Sequence, residues 1–128
     1  MEKRLKYWLP PIAWMIMLFI FSSRQSIAVT HEFTSDFIIF KTLHIIEYAM
    51  LFFLLFRAAF NTSKKPLKNQ LLQALIISLI YSVFDEYHQT FTPTRSGSPR
   101  DIFIDLIGIS GMYLYIKLHL DKLRRFLS

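Results

Sequence analysis

The chain contains no cysteine. That absence removes disulfides, thiolate nucleophiles and cysteine-held metals. Charge is scarce as well. Asp, Glu, Lys and Arg make up 19% of the 128 residues, against about 25% in ordinary soluble domains. The charges that exist are bunched between apolar runs. There is no internal repeat and no low-complexity segment. No His-Glu-x-x-His or comparable zinc spacing occurs, so neither a metal nor another cofactor is expected. The net charge is +6, but the basic residues form no aromatic-interleaved stripe, which argues against a nucleic-acid partner.

What is present is apolar. Hydrophobic residues reach 53%, with thirteen Phe and six Tyr. Four runs stand out: Tyr7–Phe21, Thr42–Phe60, Leu71–Phe84 and Ile102–Leu120. A spanning helix needs about 20 residues. The second and fourth runs meet this directly, and the first and third do so with flanking residues. The expected fold is an all-α, polytopic membrane bundle in one domain over 1–128, with four transmembrane helices near 7–23, 42–60, 69–89 and 102–120. The bilayer itself is then the first partner. Lys3, Arg4 and Lys6 ahead of the first run resemble a signal peptide, but no small-x-small cleavage site follows, so a retained helix is expected. Pro10 and Pro11 fall near the start of that run, where a first helical turn tolerates proline.

Lys and Arg in the connections set the orientation. The N-terminal tail, the second connection and the C-terminal tail hold eleven of the fifteen, and two acidic residues, Glu2 and Asp121. The other two connections and the helix ends beside them hold Arg24, Lys41, Arg95 and Arg100 with the remaining seven acids. Both termini should be cytoplasmic, in the plasma membrane, with the polar cluster facing outside.

The ionisable residues within the runs collect at that outer end. Helix 2 opens with Lys41, His44, Glu47 and Tyr48. At about 100° per residue, Lys41, His44 and Tyr48 share one side. Helix 3 closes with Tyr81, Asp85, Glu86, His88 and Gln89. Helix 4 opens with Asp101 and, one turn later, Asp105, and the same stripe continues through Gly108 and Met112. Gly108 and Gly111 would let a neighbouring helix come close. A carboxylate facing hydrocarbon costs about 2.5–3.5 kcal/mol on insertion scales, so these faces should turn into the bundle or a watered cavity.

These same residues carry a family likeness. Lys41-x-x-His44-x-x-x-Tyr48, Asp85-Glu86-x-x-Gln89-x-Phe91-x-Pro93-x-Arg95 and Asp101-x-x-x-Asp105-x-x-Gly108-x-x-Gly111 resemble the VanZ-like family, over roughly Trp8 to Leu118. The first member of that family was linked to teicoplanin resistance in Gram-positive bacteria. The resemblance implies a membrane protein with an outer-face motif, and it supplies no established reaction. Two positions depart from the pattern. Thr94 stands where the family commonly has Gly, and Asp105 where it commonly has Asn.

Each residue has more than one reading. His44, Asp85, Glu86 and Asp105 could move protons. His44 could equally be a packing hydrogen bonder, with a metal ligand as the least favoured reading, and Asp85 and Glu86 could pair with Arg95, Lys41 or Arg100. Asp101 could simply cap helix 4. Lys41, Tyr48, Gln89, Arg95 and Asp101 are the expected ligand-binding set, with the planar fork of Arg95 suited to an anionic head group. Three classes of function follow. In the first, the outer end binds or modifies a lipid-linked or cell-wall-derived ligand and affects glycopeptide susceptibility. In the second, the cluster is structural or serves a protein partner. In the third, the chain is a small proton-coupled transporter.

Overall fold

The computed structural model describes residues 2–22, 33–89 and 99–127. They form four helices: α1 Glu2–Ser22, α2 Phe33–Thr62, α3 Leu67–Gln89 and α4 Pro99–Leu127. α2 is central and packs on α1, α3 and α4.

The helices outrun their apolar runs. α1 begins at Glu2, so Pro10 and Pro11 lie inside it and not in its first turn. α2 begins nine residues before Thr42, and α4 runs to Leu127, seven residues past Leu120. The physical reason is simple. Hydropathy marks where side chains prefer lipid, whereas the backbone ladder need not end at the membrane surface. α4 starts with Pro99 at its first position, where the missing N–H is no loss. It changes direction at His119, whose φ of −124° and ψ of 26° are not helical.

The α2–α3 connection is short and built of its own hydrogen bonds. Ser63 N–H donates to Ala59 O, and Asn69 and Gln70 N–H donate to Pro66 O. Gln70 Nε2 also reaches Ser63 O at 3.1 Å. Such a tight turn makes α2 and α3 antiparallel neighbours. α1 runs antiparallel to α2, since Trp8 meets Thr62 while Trp14 meets Glu47. α2 and α4 run parallel, since His44 meets Asp105 at one end and Asn61 meets Leu127 at the other.

The core is apolar in its lower and middle layers: Leu51, Phe52, Leu55, Phe56, Ala74, Ile109 and Ile116 are buried. Toward one end the buried side chains turn polar, with Ser78, Ser82, Asp85, Glu86 and Asp105. The outside is the reverse. Leu118 is 74% exposed, Phe103 67% and Ile80 63%. An apolar exterior around a polar interior is costly in water and natural in lipid. Among the described residues, three helices are long and apolar enough to cross a membrane: Lys41–Thr62, Leu67–His88 and Ile102–Leu127. This is the build of a multi-pass membrane protein.

Candidate functional site

Helical spacing brings the polar groups together. His44 and Tyr48 are one turn apart on α2, so their rings lie on one face, with centroids 6.1 Å apart. Ser82 and Asp85, three residues apart on α3, are also about one turn from each other. Asp105 projects from the first turns of α4 into the space between them.

Asp105 is the hub. It is fully buried. His44 Nδ1 lies 2.9 Å from its Oδ1, and Ser82 Oγ donates to its Oδ2 at 2.8 Å. With Asp105 as carboxylate, the His44 proton sits on Nδ1. Nε2 is then the ring nitrogen that Asp105 does not engage. The His44 side chain is 17% exposed, the outward step of an otherwise enclosed group. One turn along, Tyr48, itself fully buried, donates its hydroxyl to Asp85 Oδ2 at 3.0 Å. Glu86 is buried next to Asp85 on the same helix. Asp105 and Asp85 therefore face different aromatics of α2.

The close approach that allows this is made at Gly108. A Cβ there would collide with the carbonyl oxygen of Ile45, one residue after His44. Gly111 does not share that role: nothing lies within 4 Å of its would-be Cβ, and it faces outward. The expectation of close packing thus holds at one glycine and fails at the other. A stripe with a period near 3.6 keeps 105, 108 and 112 on the inner face and rotates 111 away.

Depth is consistent across helices. His44, Asp85 and Asp105 each lie three residues inside the end of their own span. Glu47 is one turn deeper and half-buried, and Lys41 is half-buried at the span's first residue.

A model of the VanZ/LLP1 family matches residues 7–120. The chain belongs to the VanZ/LLP1 family. No curated protein and no solved structure matches it. The match covers all the residues of the polar cluster. Of the three strings that carry the VanZ likeness, these members meet in space: His44 and Tyr48 from the first, Asp85 from the second, Asp105 and Gly108 from the third.

Some expected residues fall elsewhere. Arg95 lies outside the described residues. Gln89 closes α3 and Asp101 is in the first turn of α4, and only their helical positions are described. His88 does not join the His44 group. Its ring packs on Phe19 of α1, at 4.4 Å between centroids. Among the described residues, no three His, Asp or Glu side chains come close enough to share a metal ion. Sequence reasoning passed over Ser82, which supplies half of the Asp105 hydrogen bonding. Its i−3 spacing from Asp85 was the available signal. It also passed over the docking of α1, where Trp14 Nε1 donates to Glu47 O at 3.0 Å and Tyr81 OH donates to Met15 O at 2.7 Å.

Proposed function

We propose that the chain is a four-span plasma-membrane protein, α1 being the fourth span, with both termini in the cytosol. At its outer end it binds a cell-envelope ligand, lipid-linked or cell-wall-derived, and through that ligand alters glycopeptide susceptibility. The observation that carries this reading is the His44–Asp105–Ser82 arrangement. A buried carboxylate fixed by two donors holds an imidazole whose second nitrogen remains for a ligand. This is how an acid–base histidine is oriented by its carboxylate in general. Lys41 and Arg95 supply positive charge for an anionic head group, and Tyr48, Gln89 and Asp101 complete the contact set. Where chemistry follows binding, hydrolysis or transfer at that head group is the matching class. His44 Nε2 takes the proton, with Asp105 as its positioning residue and Asp85 with Glu86 as the further carboxylates.

A second reading is favoured by burial. Tyr48, Ser82 and Asp105 are fully enclosed and Asp85 almost so, as expected of a polar core that fixes helix register. Transport has less support, because a coupling carboxylate belongs near mid-membrane and Asp85 and Asp105 sit near a span end.

His44→Gln, Asp85→Asn and Arg95→Lys separate the first two readings. Each variant is expressed in a susceptible host, and its membrane level, thermal unfolding midpoint and glycopeptide susceptibility are measured. Ligand binding predicts susceptibility returning to that of the empty vector at normal level and midpoint. Wild-type susceptibility in all three variants would end the binding reading. A fall in midpoint with unchanged phenotype would favour the structural one.

A further inference from the structure

We propose that the opposite end of α4 binds an anionic phospholipid headgroup. The span Ile102–Leu127 is 26 residues long. It bends at His119; up to that bend it rises about 26 Å at about 1.5 Å per residue, against about 30 Å of hydrocarbon. With Ile102 at one boundary, the residues beyond the bend lie at the approach to headgroup depth. α2 leaves the hydrocarbon at the same level. Its span ends at Thr62, and Asn61 Nδ2 donates to Leu127 O.

The sequence at that depth is divided between two faces. After the bend at His119, Leu120, Leu123 and Leu127 turn to the core. Lys122, Arg124 and Arg125 turn out, with Phe126 beside them at 62% exposure. Tyr115, Lys122, Arg124, Arg125 and Phe126 line a shallow recess of about 580 Å³. Asp121 is the acid in that lining. Its carboxylate is 97% exposed and meets Arg124 Nε at 3.3 Å, a surface contact worth little. The recess therefore carries three cations and one acid, with Tyr115, Leu123 and Phe126 as its apolar lining.

A phosphodiester anion fits this chemistry. An arginine fork can take two phosphate oxygens together. Basic groups near a bilayer surface gain about 1 kcal/mol each from anionic lipid. Tyr115 and Phe126 are suited to the boundary between headgroup and acyl chain. A lipid tethered at this depth arrives already oriented, which a free anion does not. This end is remote from His44 and Asp105, so the two sites stand or fall separately.

The test uses the full chain in neutral detergent. Thermal unfolding is followed with short-chain phosphatidylglycerol, short-chain phosphatidylcholine or inorganic phosphate added. Phosphatidylglycerol should raise the midpoint by about 3–5 °C at saturation. The triple variant Lys122→Gln, Arg124→Gln, Arg125→Gln should lose that rise. An equal rise in the variant, or an equal rise with phosphatidylcholine or phosphate alone, overturns the assignment. A second measurement covers a variant that does not fold. Leu118→Cys in the cysteine-free chain is labelled with a fluorophore and placed in mixed vesicles. Headgroup-quencher phosphatidylglycerol should quench it more strongly than the phosphatidylcholine counterpart. Equal quenching counts against the site.

Discussion

Gly108 and Gly111 are three residues apart and should behave oppositely. Gly108→Ala places a methyl on the Ile45 carbonyl and must push α2 and α4 apart. Overpacking of this kind costs about 1–3 kcal/mol, and the thermal midpoint in detergent should fall. Gly111→Ala meets open space, and the helix propensity of alanine favours it by up to about 1 kcal/mol. Its midpoint should hold or rise. Tyr48→Phe removes the hydroxyl that donates to Asp85 Oδ2. Leaving that oxygen short of a donor should cost about 1–3 kcal/mol, read as a lower midpoint with unchanged expression. Ser82→Ala should behave alike at Asp105. At this scale the sequence was half legible. His44, Tyr48, Asp85 and Asp105 were visible because an ionisable group inside an apolar run is conspicuous. Ser82 was not, because a serine in such a run is tolerated without comment. Gly111 misled because spacing alone cannot say which way a helix face is rotated.

α1 is held to the bundle by directional contacts as well as by packing. Trp8 Nε1 reaches Thr62 Oγ1 at 3.0 Å, Trp14 reaches Glu47 O, and Tyr81 reaches Met15 O. Near its start, the Tyr7 ring is buried with the Arg57 guanidinium 4.8 Å from its centre. Interhelical hydrogen bonds in bilayers average about 0.6 kcal/mol and reach about 1.7. Trp14→Phe and Tyr81→Phe should each lower stability by amounts in that range. Both bonds hold the same turn of α1, at Trp14 and Met15, so the double variant should depart from the sum. Limited proteolysis in detergent should then cut near Ser22 sooner than in the parent. The existence and type of all four helices were readable from the apolar runs. Their ends were not: α2 starts at Phe33 and α4 ends at Leu127, where side-chain hydropathy has already stopped reporting on the backbone.

The whole molecule is organised by solvent. Apolar side chains cover the outside, and the buried carboxylates collect toward one end of the interior. The alternating direction of the helices, inferred from charge, agrees with the contacts that bring the start of α2, the end of α3 and the start of α4 together. Which side of the membrane that end occupies is tested directly. Thr94→Cys and Ser63→Cys are the only thiols in their chains, because the parent has none. An impermeant maleimide applied to intact cells should label the first and spare the second. Labelling of Ser63→Cys alone would invert the proposed orientation.

The α2–α4 seam is pinned twice, by His44 with Asp105 near one boundary and by Asn61 with Leu127 near the other. Between these pins Gly108 lets one backbone rest on the other. Two rods fastened at both ends cannot slide past each other. The opposite wall is fastened differently: α1 is held through Trp8, Trp14 and Tyr81, and α3 through the Tyr48–Asp85 and Ser82–Asp105 hydrogen bonds.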